Sequence, residues 1–465
     1  MKSLGRMIAL LCVIVIPVAA FAVDNPDYKR IVSGLASTRE SLEKARRLCS
    51  PTLTADGYDE LARLLLQAEK TLPRMKTAAP GYQTERIEQV FENIQAVRCS
   101  ALSGRDTEAA AATLDSAIRT LKFCAYALND GVDFLIKKHT PASSALMNSK
   151  GGMNLGWFDT PFENLNLPDS VMRQKKWHFF SFTSRDYIIG FAAVNVGYLS
   201  NYFMYLFNMK TGKLVEFEDL SPVISKAKVA PNSIAGTTIY KSKLIDTKIE
   251  NHYNDGYYLV VFDCKNKNND HITGRIKVLT SGEEYVNSKE DLENRIVYTH
   301  QNSTYKADGL VCINGSEIRF DPEESFVSMD YTKGLHKYHT EWLWASAAGK
   351  TKDGTEIGIN LGAPVGKGFL NSSVFWINGE IYRIATVKMK YTNVYRNWKI
   401  SSADGIFNLD FHPLGHREGS VNLGILVSKY KQPFGTFSGT INAPDGKRYV
   451  IENMLGVTEE HIAKW

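Results

Sequence analysis

Turn signals recur throughout the C-terminal two-thirds of the chain, and few folds accommodate so many turns. In each signal Gly follows Asn or Asp: Asn254-Asp255-Gly256, Asp308-Gly309, Asn314-Gly315, Lys352-Asp353-Gly354, Asn378-Gly379, Asp404-Gly405 and Asp445-Gly446. Between them lie runs rich in aromatic and β-branched residues, such as 177–183 and 257–263, and long helical patterns are absent. We therefore predict a mainly β region of short antiparallel strands.

This region is too long for one small barrel, so we predict two tandem antiparallel β-barrels at residues 155–320 and 321–465. A pair of elongated β-sandwiches and a propeller remain alternatives. No sequence repeat of blade length supports the propeller.

The clearest alternation lies in the segment Met329–Ala347. Thr340, Trp342 and Trp344 occupy every second position, so a strand places one hydroxyl and two indoles on one face. Such a face either lines a ligand cavity or fills a barrel core. We predict that it is buried inside the second barrel, because two exposed indoles would form a large apolar patch.

This segment and the sequence that follows it contain a series of motifs, through which the chain resembles a bacterial family of unknown function. The motifs are Asp330-Tyr331-Thr332-Lys333-Gly334; Thr340, Trp342, Trp344 and Ala345; Gly358, Asn360 and Leu361; Asn378-Gly379; Trp398, Ile400 and Ser402; Leu409, Phe411 and Pro413; Phe434, Gly435, Phe437 and Gly439; and Gly456, Glu459 and Trp465. That family is grouped with the calycin or lipocalin-like proteins, near the carotenoid 1,2-hydratases. The resemblance implies two lipocalin-like halves.

The same motifs supply candidate site residues. Asp330 and Tyr331 are the candidates for proton transfer to or from a ligand, although an Asp–Lys pair that orders a turn would also explain the first motif. The candidates for ligand binding are Thr340, Trp342, Trp344, Lys333, Asn360, Glu459 and His461. Glu459 and His461 reach the site only if the C-terminal segment folds back across a barrel; otherwise they lie on a solvated final helix.

Three functions fit this sequence. The first is binding of a hydrophobic or amphipathic small molecule, such as a lipid or terpenoid. The second is a hydratase-like or isomerase-like enzyme acting on an unsaturated apolar substrate, as the hydratase relatives imply. The third is an envelope scaffold with filled barrels. We expect no cofactor and no metal site, since neither cysteines nor histidines show zinc-ligand spacing. No Gly-x-Ser-x-Gly motif indicates a serine hydrolase.

Residues 23–140 differ from the rest of the mature chain. They contain no Trp, and their apolar residues follow helical spacing, with breaks at Ser50-Pro51, Ala79-Pro80-Gly81 and Ser103-Gly104. We predict a four-helix up-down bundle, which serves as an accessory module or binds a protein partner, followed by a linker at residues 141–154.

Cysteine positions in this predicted bundle favour one disulfide. Cys49 and Cys99 come to the same end of parallel helices one and three, whereas Cys124 lies about 26 Å away along helix four. We therefore predict a Cys49–Cys99 bridge and a free Cys124. Cys264 and Cys312 form a second candidate pair on neighbouring barrel strands.

Residues 1–22 resemble a secretory signal peptide. Lys2 and Arg6 precede the apolar run Ile8–Val18, and Ala20-Phe21-Ala22 forms a cleavage site. We expect an exported protein, periplasmic or extracellular, with no transmembrane segment in the mature chain. The formal net charge of +5, from 55 Lys and Arg against 50 Asp and Glu, does not favour nucleic-acid binding.

Overall fold

The computed structural model describes residues 37–38, 40–45, 60, 63–68, 92, 94–95, 114, 145–147, 154, 156–167, 173–222, 226–290, 296–364, 373–384, 387–402, 405–422, 427–443 and 446–464. The chain divides into two compact units. Nearly all of the β structure belongs to the unit that comprises Lys138–Ser402, Asn408–Ile441 and Val450–Trp465.

The described residues of the chain form 23 strands. The strands of the first half of this β structure are β1 (Gly156–Phe158), β2 (Gln174–Thr183), β3 (Tyr187–Asn195), β4 (Ser200–Asn208), β5 (Leu214–Ser221), β6 (Ala227–Lys228), β7 (Ala235–Lys241), β8 (Ile245–His252), β9 (Tyr257–Lys265), β10 (His271–Leu279), β11 (Tyr285–Glu290), β12 (Ile296–Ile313), β13 (Ser316–Phe320) and β14 (Phe326–Leu335). A 3-10 helix, Tyr253–Asp255, joins β8 to β9.

The strands of the second half are β15 (His339–Lys350), β16 (Glu356–Pro364), β17 (Val374–Ile377), β18 (Glu380–Arg383), β19 (Val387–Lys390), β20 (Trp398–Ser402), β21 (Phe407–Asn422), β22 (Val427–Asn442) and β23 (Arg448–Lys464). The described strand pairs are antiparallel.

The first sheet has 14 strands, in the order β5-β4-β3-β2-β14-β12-β10-β9-β8-β7-β6, with β1, β11 and β13 paired at its side. It curls so that its last strand returns towards its beginning. The Asn195 side chain of β3 donates a hydrogen bond to the Ala227 carbonyl of β6 over 2.8 Å, and the Ala227 N–H donates to Ser200 Oγ of β4 over 3.2 Å. This sheet is a curled half-barrel.

The second sheet has nine strands, in the order β18-β17-β16-β15-β23-β22-β21-β20-β19. It also curls, because β19 contacts β16. The C-terminal strand β23 lies in the middle of the sheet, between β15 and β22. The fold is therefore mainly β, as predicted, and its two antiparallel sheets are curled half-barrels where two β-barrels were predicted. The first sheet includes β14, so it extends past residue 320, where we had predicted that the second barrel begins.

Alternation divides the residues of each sheet between two faces. In the first sheet, Phe180, Tyr298 and Tyr331 point to an interior core that contains many fully buried aromatic side chains. In the second, Ala345, Ile359 and Leu361 point to the corresponding interior and are also buried. The residues between them along each strand point to the outer faces.

The outer faces of the two sheets pack against each other. Tyr205 and Phe207 of β4 stack on Phe434 of β22, with ring centroids 4.8 Å and 5.0 Å apart. Gly358 of β16 lies so close to the first sheet that a Cβ atom there would sit 2.6 Å from the Ser303 carbonyl oxygen. The interface therefore depends on stacked aromatic rings and on a glycine that permits close approach.

One prediction about the rest of the chain is not supported, and others concern residues outside the described part of the chain. Between 23 and 140 the described residues with helical structure are 37–38, 40–45, 60, 63–68, 92, 94–95 and 114, and they do not support a four-helix bundle. The signal peptide at 1–22, Cys49, Cys99 and Cys124 lie outside the described residues. None of the helices within the described ranges is long and apolar enough to cross a membrane.

The predicted Cys264–Cys312 disulfide is wrong, since both cysteines are free. Cys264 lies on β9 and pairs with Ile272 of β10, whereas Cys312 lies on β12 and pairs with Thr273 of β10. A whole strand separates them, and the adjacent positions of their β10 partners place them on opposite faces of the sheet.

Candidate functional site

A half-buried carboxyl group, Asp330, lies on the outer face of β14. Its Oδ1 accepts hydrogen bonds from Trp177 Nε1 of β2 at 3.2 Å and from Thr332 Oγ1 at 2.8 Å. Its Oδ2 accepts a hydrogen bond from Gln301 Nε2 of β12 at 2.7 Å. Three neighbouring strands of the first sheet thus fix both carboxyl oxygens.

From Gln301 the hydrogen bonds continue into the second sheet. Asn360 Nδ2 of β16 donates to Gln301 Oε1 over 2.7 Å, and Trp344 Nε1 of β15 donates to Asn360 Oδ1 over 2.7 Å. Nearby, Ser346 Oγ of β15 donates to Ser328 Oγ of β14 over 2.8 Å. A polar chain therefore joins Trp344 to Asp330 across the interface between the half-barrels.

A second carboxyl group, Glu459, lies on the outer face of β23. Its Oε1 accepts a hydrogen bond from Trp342 Nε1 at 2.9 Å and lies 3.3 Å from His461 Nδ1, and its Oε2 accepts from Gln432 Nε2 at 2.7 Å. The β15–β23 register pairs Trp344 with Glu459 and Trp342 with His461. This register places the two indoles, the carboxylate and the imidazole on one face.

The two carboxyl groups have opposite pKa shifts. Burial raises the pKa of Asp330, and the nearby charge of Glu459 contributes to that rise, while the hydrogen bond from Gln301 opposes it. Burial also raises the pKa of Glu459, but the hydrogen bonds from His461 and Trp342 and the charges of His461 and Arg417 together outweigh it, so that the net shift is downward. Asp330 is therefore the group that more readily carries a proton, and Glu459 the one that stays ionised.

A buried cation lies beside this pair. Arg417 is 3% exposed, and its guanidinium lies 4.0 Å from the centroid of the Phe203 ring and 4.4 Å from that of Tyr430. Its Nη2 donates to Glu218 Oε1 over 3.0 Å. The charge of Arg417 contributes to the lowered pKa of Glu459. This cation helps to keep Glu459 ionised.

Aromatic side chains enclose the carboxyl groups without sealing them. The Trp344 ring packs edge-on against Phe179, with centroids 5.7 Å apart, and the Trp342 ring lies 4.1 Å from the His461 ring. Trp177, Trp342 and Trp344 are half-buried, and the side chain of Glu459 retains 14% exposure. The aromatic surface that carries the two carboxyl groups is therefore partly exposed.

One buried polar atom in this site has no hydrogen-bond partner. Gln432 is 1% exposed, and while its Nε2 donates to Glu459, its Oε1 is unpaired. A buried acceptor without a donor costs free energy unless a ligand or water supplies one. The site thus has a free acceptor next to its carboxylate.

The structure brings together most of the residues predicted for the site. Asp330, Trp344 and Asn360 belong to the first network, and Glu459, Trp342 and His461 belong to the second. Thr340 lies on the same face of β15 but is buried and donates to the Lys337 carbonyl over 2.8 Å.

Two predicted residues lie elsewhere. Tyr331 points to the interior of the first half-barrel, where its hydroxyl donates to the Ala230 carbonyl over 2.7 Å. Lys333 lies on the same side of β14 as Tyr331, and its Nζ donates to the Pro231 carbonyl over 3.4 Å. Neighbouring residues of a strand face opposite ways, so Tyr331 cannot join Asp330.

The predicted burial of the tryptophan face inside the second barrel is also wrong. Trp342 and Trp344 lie on its outer face and are only half-buried, because that face packs against the first sheet. Four residues of the site were not predicted: Trp177, Gln301, Gln432 and Arg417. Gln432 lies two residues before the motif residue Phe434, and Arg417 lies four residues after Pro413, but no spacing rule singled them out.

A separate cavity of about 430 Å³ lies on the other face of β23. It is lined by Glu418, Lys429, Lys431, Glu460 and Ile462, among others. Glu460 and Ile462 alternate with Glu459 and His461, so the cavity does not open onto the carboxyl pair. Within the described residues, no group of three or more His, Cys, Asp or Glu side chains is arranged to hold a metal ion.

Two half-barrels joined by their outer faces, with a polar site between them, define a two-lobed, mainly β protein. The chain belongs to the family described as Domain of unknown function (DUF2804), which it matches over residues 137–465. This confirms the predicted membership of a family of unknown function. No curated protein matches the chain.

Two solved structures are similar to parts of the chain. Kievitone hydratase from Nectria haematococca is 14% identical, with a TM-score of 0.41, over 64% of this chain and 90% of the hydratase. A protein assigned as AttH from Nitrosomonas europaea is 12% identical, with a TM-score of 0.39, over 65% of this chain and 97% of its own.

Proposed function

We propose that the protein binds a small amphipathic molecule between its two half-barrels, at the site formed by Asp330 and Glu459. The observation that carries this proposal is the pair of carboxyl groups, each held by an indole N–H, within a partly open aromatic surface. Indole faces suit the apolar body of a ligand. The carboxyl oxygens suit its hydroxyl or N–H groups.

The neutral fluorescent probe N-phenyl-1-naphthylamine tests binding, because it combines aromatic rings with one N–H donor. We expect saturable fluorescence enhancement that Trp344→Ala weakens by at least about tenfold, the loss of about 1.4 kcal/mol of contact energy. Trp157→Ala is the matched control, since Trp157 is a half-buried tryptophan that packs against Tyr285 in another cluster. Equal affinity in both variants and the parent protein would contradict this location and favour the scaffold alternative.

A second candidate is acid–base catalysis on an unsaturated apolar substrate, as in hydration or isomerisation. The opposite pKa shifts of Asp330 and Glu459 favour it, because paired carboxyl groups with different proton affinities can act as acid and base. In hydration, protonated Asp330 would give its proton to one alkene carbon. Water would then form the C–O bond at the other carbon and lose a proton to Glu459.

Hydration can be detected without knowing the substrate. Terpenoid alkenes and enones incubated with the protein in D₂O should gain the mass of one D₂O molecule, read by mass spectrometry. Asp330→Asn should abolish this gain while it leaves the affinity for N-phenyl-1-naphthylamine within about threefold. A mass gain that persists in Asp330→Asn would exclude Asp330 as the acid.

Export of the protein to the periplasm or the extracellular space is a further proposal, supported by the signal-like residues 1–22. In an oxidising compartment Cys49 and Cys99 would be bridged and Cys124 free. Non-reducing peptide mapping of protein secreted by its own cells tests this pairing. Capture of Cys124 in a disulfide would contradict it.

A further inference from the structure

Ser428, His461 and Glu459 form a continuous hydrogen-bonded series on the neighbouring strands β22 and β23. Ser428 Oγ lies 3.1 Å from His461 Nε2, and His461 Nδ1 lies 3.3 Å from Glu459 Oε1. Since ionised Glu459 can only accept, the Nδ1 proton belongs between the ring and the carboxylate. Nε2 is then left to accept the hydroxyl proton of Ser428.

The imidazole and the carboxylate are both held in place. The His461 ring lies 4.1 Å from the Trp342 ring, and the Glu459 oxygens also accept from Trp342 Nε1 and Gln432 Nε2. The side chain of His461 is 16% exposed, and Ser428 is half-buried. A nucleophile within reach of a base, and a base oriented by a fixed carboxylate, is the geometry of covalent serine catalysis.

We propose that Ser428 is a nucleophile, with His461 as its general base and Glu459 as the group that orients His461, in acyl transfer from an ester. No sequence motif indicated this set, because its members come from two strands and not from a Gly-x-Ser-x-Gly turn. The substrate class rests on the proposed function. The indole of Trp342 beside His461 favours an ester with a hydrophobic acyl or alcohol part.

In the first step, Ser428 Oγ attacks the ester carbonyl carbon as its proton passes to His461 Nε2. The C–O bond to the alcohol then breaks, and the alcohol leaves with that proton. In the second step, water attacks the acyl-Ser428 carbonyl, gives one proton to His461 and releases the carboxylic acid. Ser428 regains its proton from His461, so the protein is unchanged.

An alkyl fluorophosphonate tests the nucleophile directly, because attack by an activated serine forms an O–P bond and releases fluoride. We expect one label per chain, located on Ser428 by peptide mass spectrometry. Ser428→Ala should not be labelled, and His461→Gln should be labelled at least about 100-fold more slowly. Ser420→Ala, which removes an exposed serine on the adjacent β21, is the matched control and should react like the parent protein.

Two further variants separate chemistry from folding. Ser428→Cys keeps a nucleophile and should still release p-nitrophenol from p-nitrophenyl butyrate in a burst of one equivalent. Glu459→Gln should lower kcat for this ester and leave its KM little changed, as expected of a positioning residue. Absence of labelling in the folded parent protein, or labelling that survives in Ser428→Ala, would overturn the proposal.

Failure of this proposal is distinguishable from failure of the proposed function. If the parent protein binds N-phenyl-1-naphthylamine but is not labelled by the fluorophosphonate, the assignment of Ser428 as a nucleophile is wrong and the proposed binding site stands. Labelling of Ser428 without probe binding would retain the nucleophile and overturn the hydrophobic substrate class.

Discussion

The hydrogen bond between Asn360 and Gln301 crosses from one half-barrel to the other, so its removal should weaken the whole assembly. Asn360 is 3% exposed and makes two side-chain hydrogen bonds, to Gln301 Oε1 and from Trp344 Nε1. Each of these hydrogen bonds contributes about 1 kcal/mol net to stability. Removing Asn360 also leaves Gln301 Oε1 without a donor, and because Gln301 is only 8% exposed, this costs about 1–3 kcal/mol more. Trp344 is half-buried, so its Nε1–H can donate to water once Asn360 is removed. We therefore expect Asn360→Ala to lower the free energy of unfolding by about 2–4 kcal/mol.

A double-mutant cycle tests whether this cost belongs to the bond between the sheets. Gln301→Ala also removes a hydrogen bond to Asp330, so alone it should cost at least as much as Asn360→Ala. The double variant should be less destabilised than the sum, by a coupling energy of about 1–2 kcal/mol. Urea unfolding followed by tryptophan fluorescence measures all four free energies.

The control pair combines Gln301→Ala with Asn266→Ala. Asn266 organises the turn between β9 and β10 through hydrogen bonds to Asp270 and to the Glu216 carbonyl, and it makes none to Gln301. These two changes should add within about 0.5 kcal/mol. Additivity of Asn360→Ala and Gln301→Ala within the same limit would refute the role assigned to the polar chain.

Four other predictions concern single residues. The folded pKa of Asp330 lies above its unfolded value, so its contribution to stability is present at acid pH and is lost as pH rises. Relative to Asp330→Asn, the parent protein should lose stability as pH rises above about 4, and a constant difference in unfolding free energy would contradict this. Cys264 and Cys312 should both react with iodoacetamide in urea without reductant, as read by peptide mapping. Gly435→Ala should cost at least about 2 kcal/mol in urea unfolding, because a Cβ atom would lie 2.0 Å from the His412 carbonyl oxygen. Edman sequencing of exported protein should begin at Val23; a chain that retains Met1 would contradict cleavage.

Local patterns predicted the strands and most of their turns, because hairpin geometry depends on a few adjacent residues. Asn314-Gly315 and Asn378-Gly379 both adopt positive φ in the turns β12–β13 and β17–β18, as that dipeptide predicts. Asp308-Gly309 was predicted as a turn but lies within the long strand β12. Gly309 is needed there because a Cβ atom would lie 2.3 Å from the Arg275 carbonyl oxygen on β10.

Strand order is the part that the sequence did not determine. Alternation placed Trp342 with Trp344, and Glu459 with His461, because each pair is local to one strand. Their meeting depends on β23 pairing with β15, more than 100 residues earlier in the chain. Such pairing follows from the packing of the whole sheet and not from any short motif.

Alternation also could not identify which face of β15 meets solvent, core or partner sheet. Ala345 and Ala347 on one face and Ser346 on the other are all buried, since the strand packs on both sides. Two-sided burial weakens the usual contrast between apolar and polar positions. Gln301 and Gln432 were missed for the same reason, because a buried amide is recognised only once its partners are known.

The location of the carboxyl pair has a mechanical consequence. Asp330 belongs to the first half-barrel and Glu459 to the second, so the distance between their charges depends on how the outer faces pack. The Ser346–Ser328 hydrogen bond and the Phe179–Trp344 contact hold these faces together beside the site. Because Glu459 contributes to the raised pKa of Asp330, a shift of one sheet against the other would change the proton affinity of Asp330. Packing between the sheets and acid strength in the site are therefore linked in this fold.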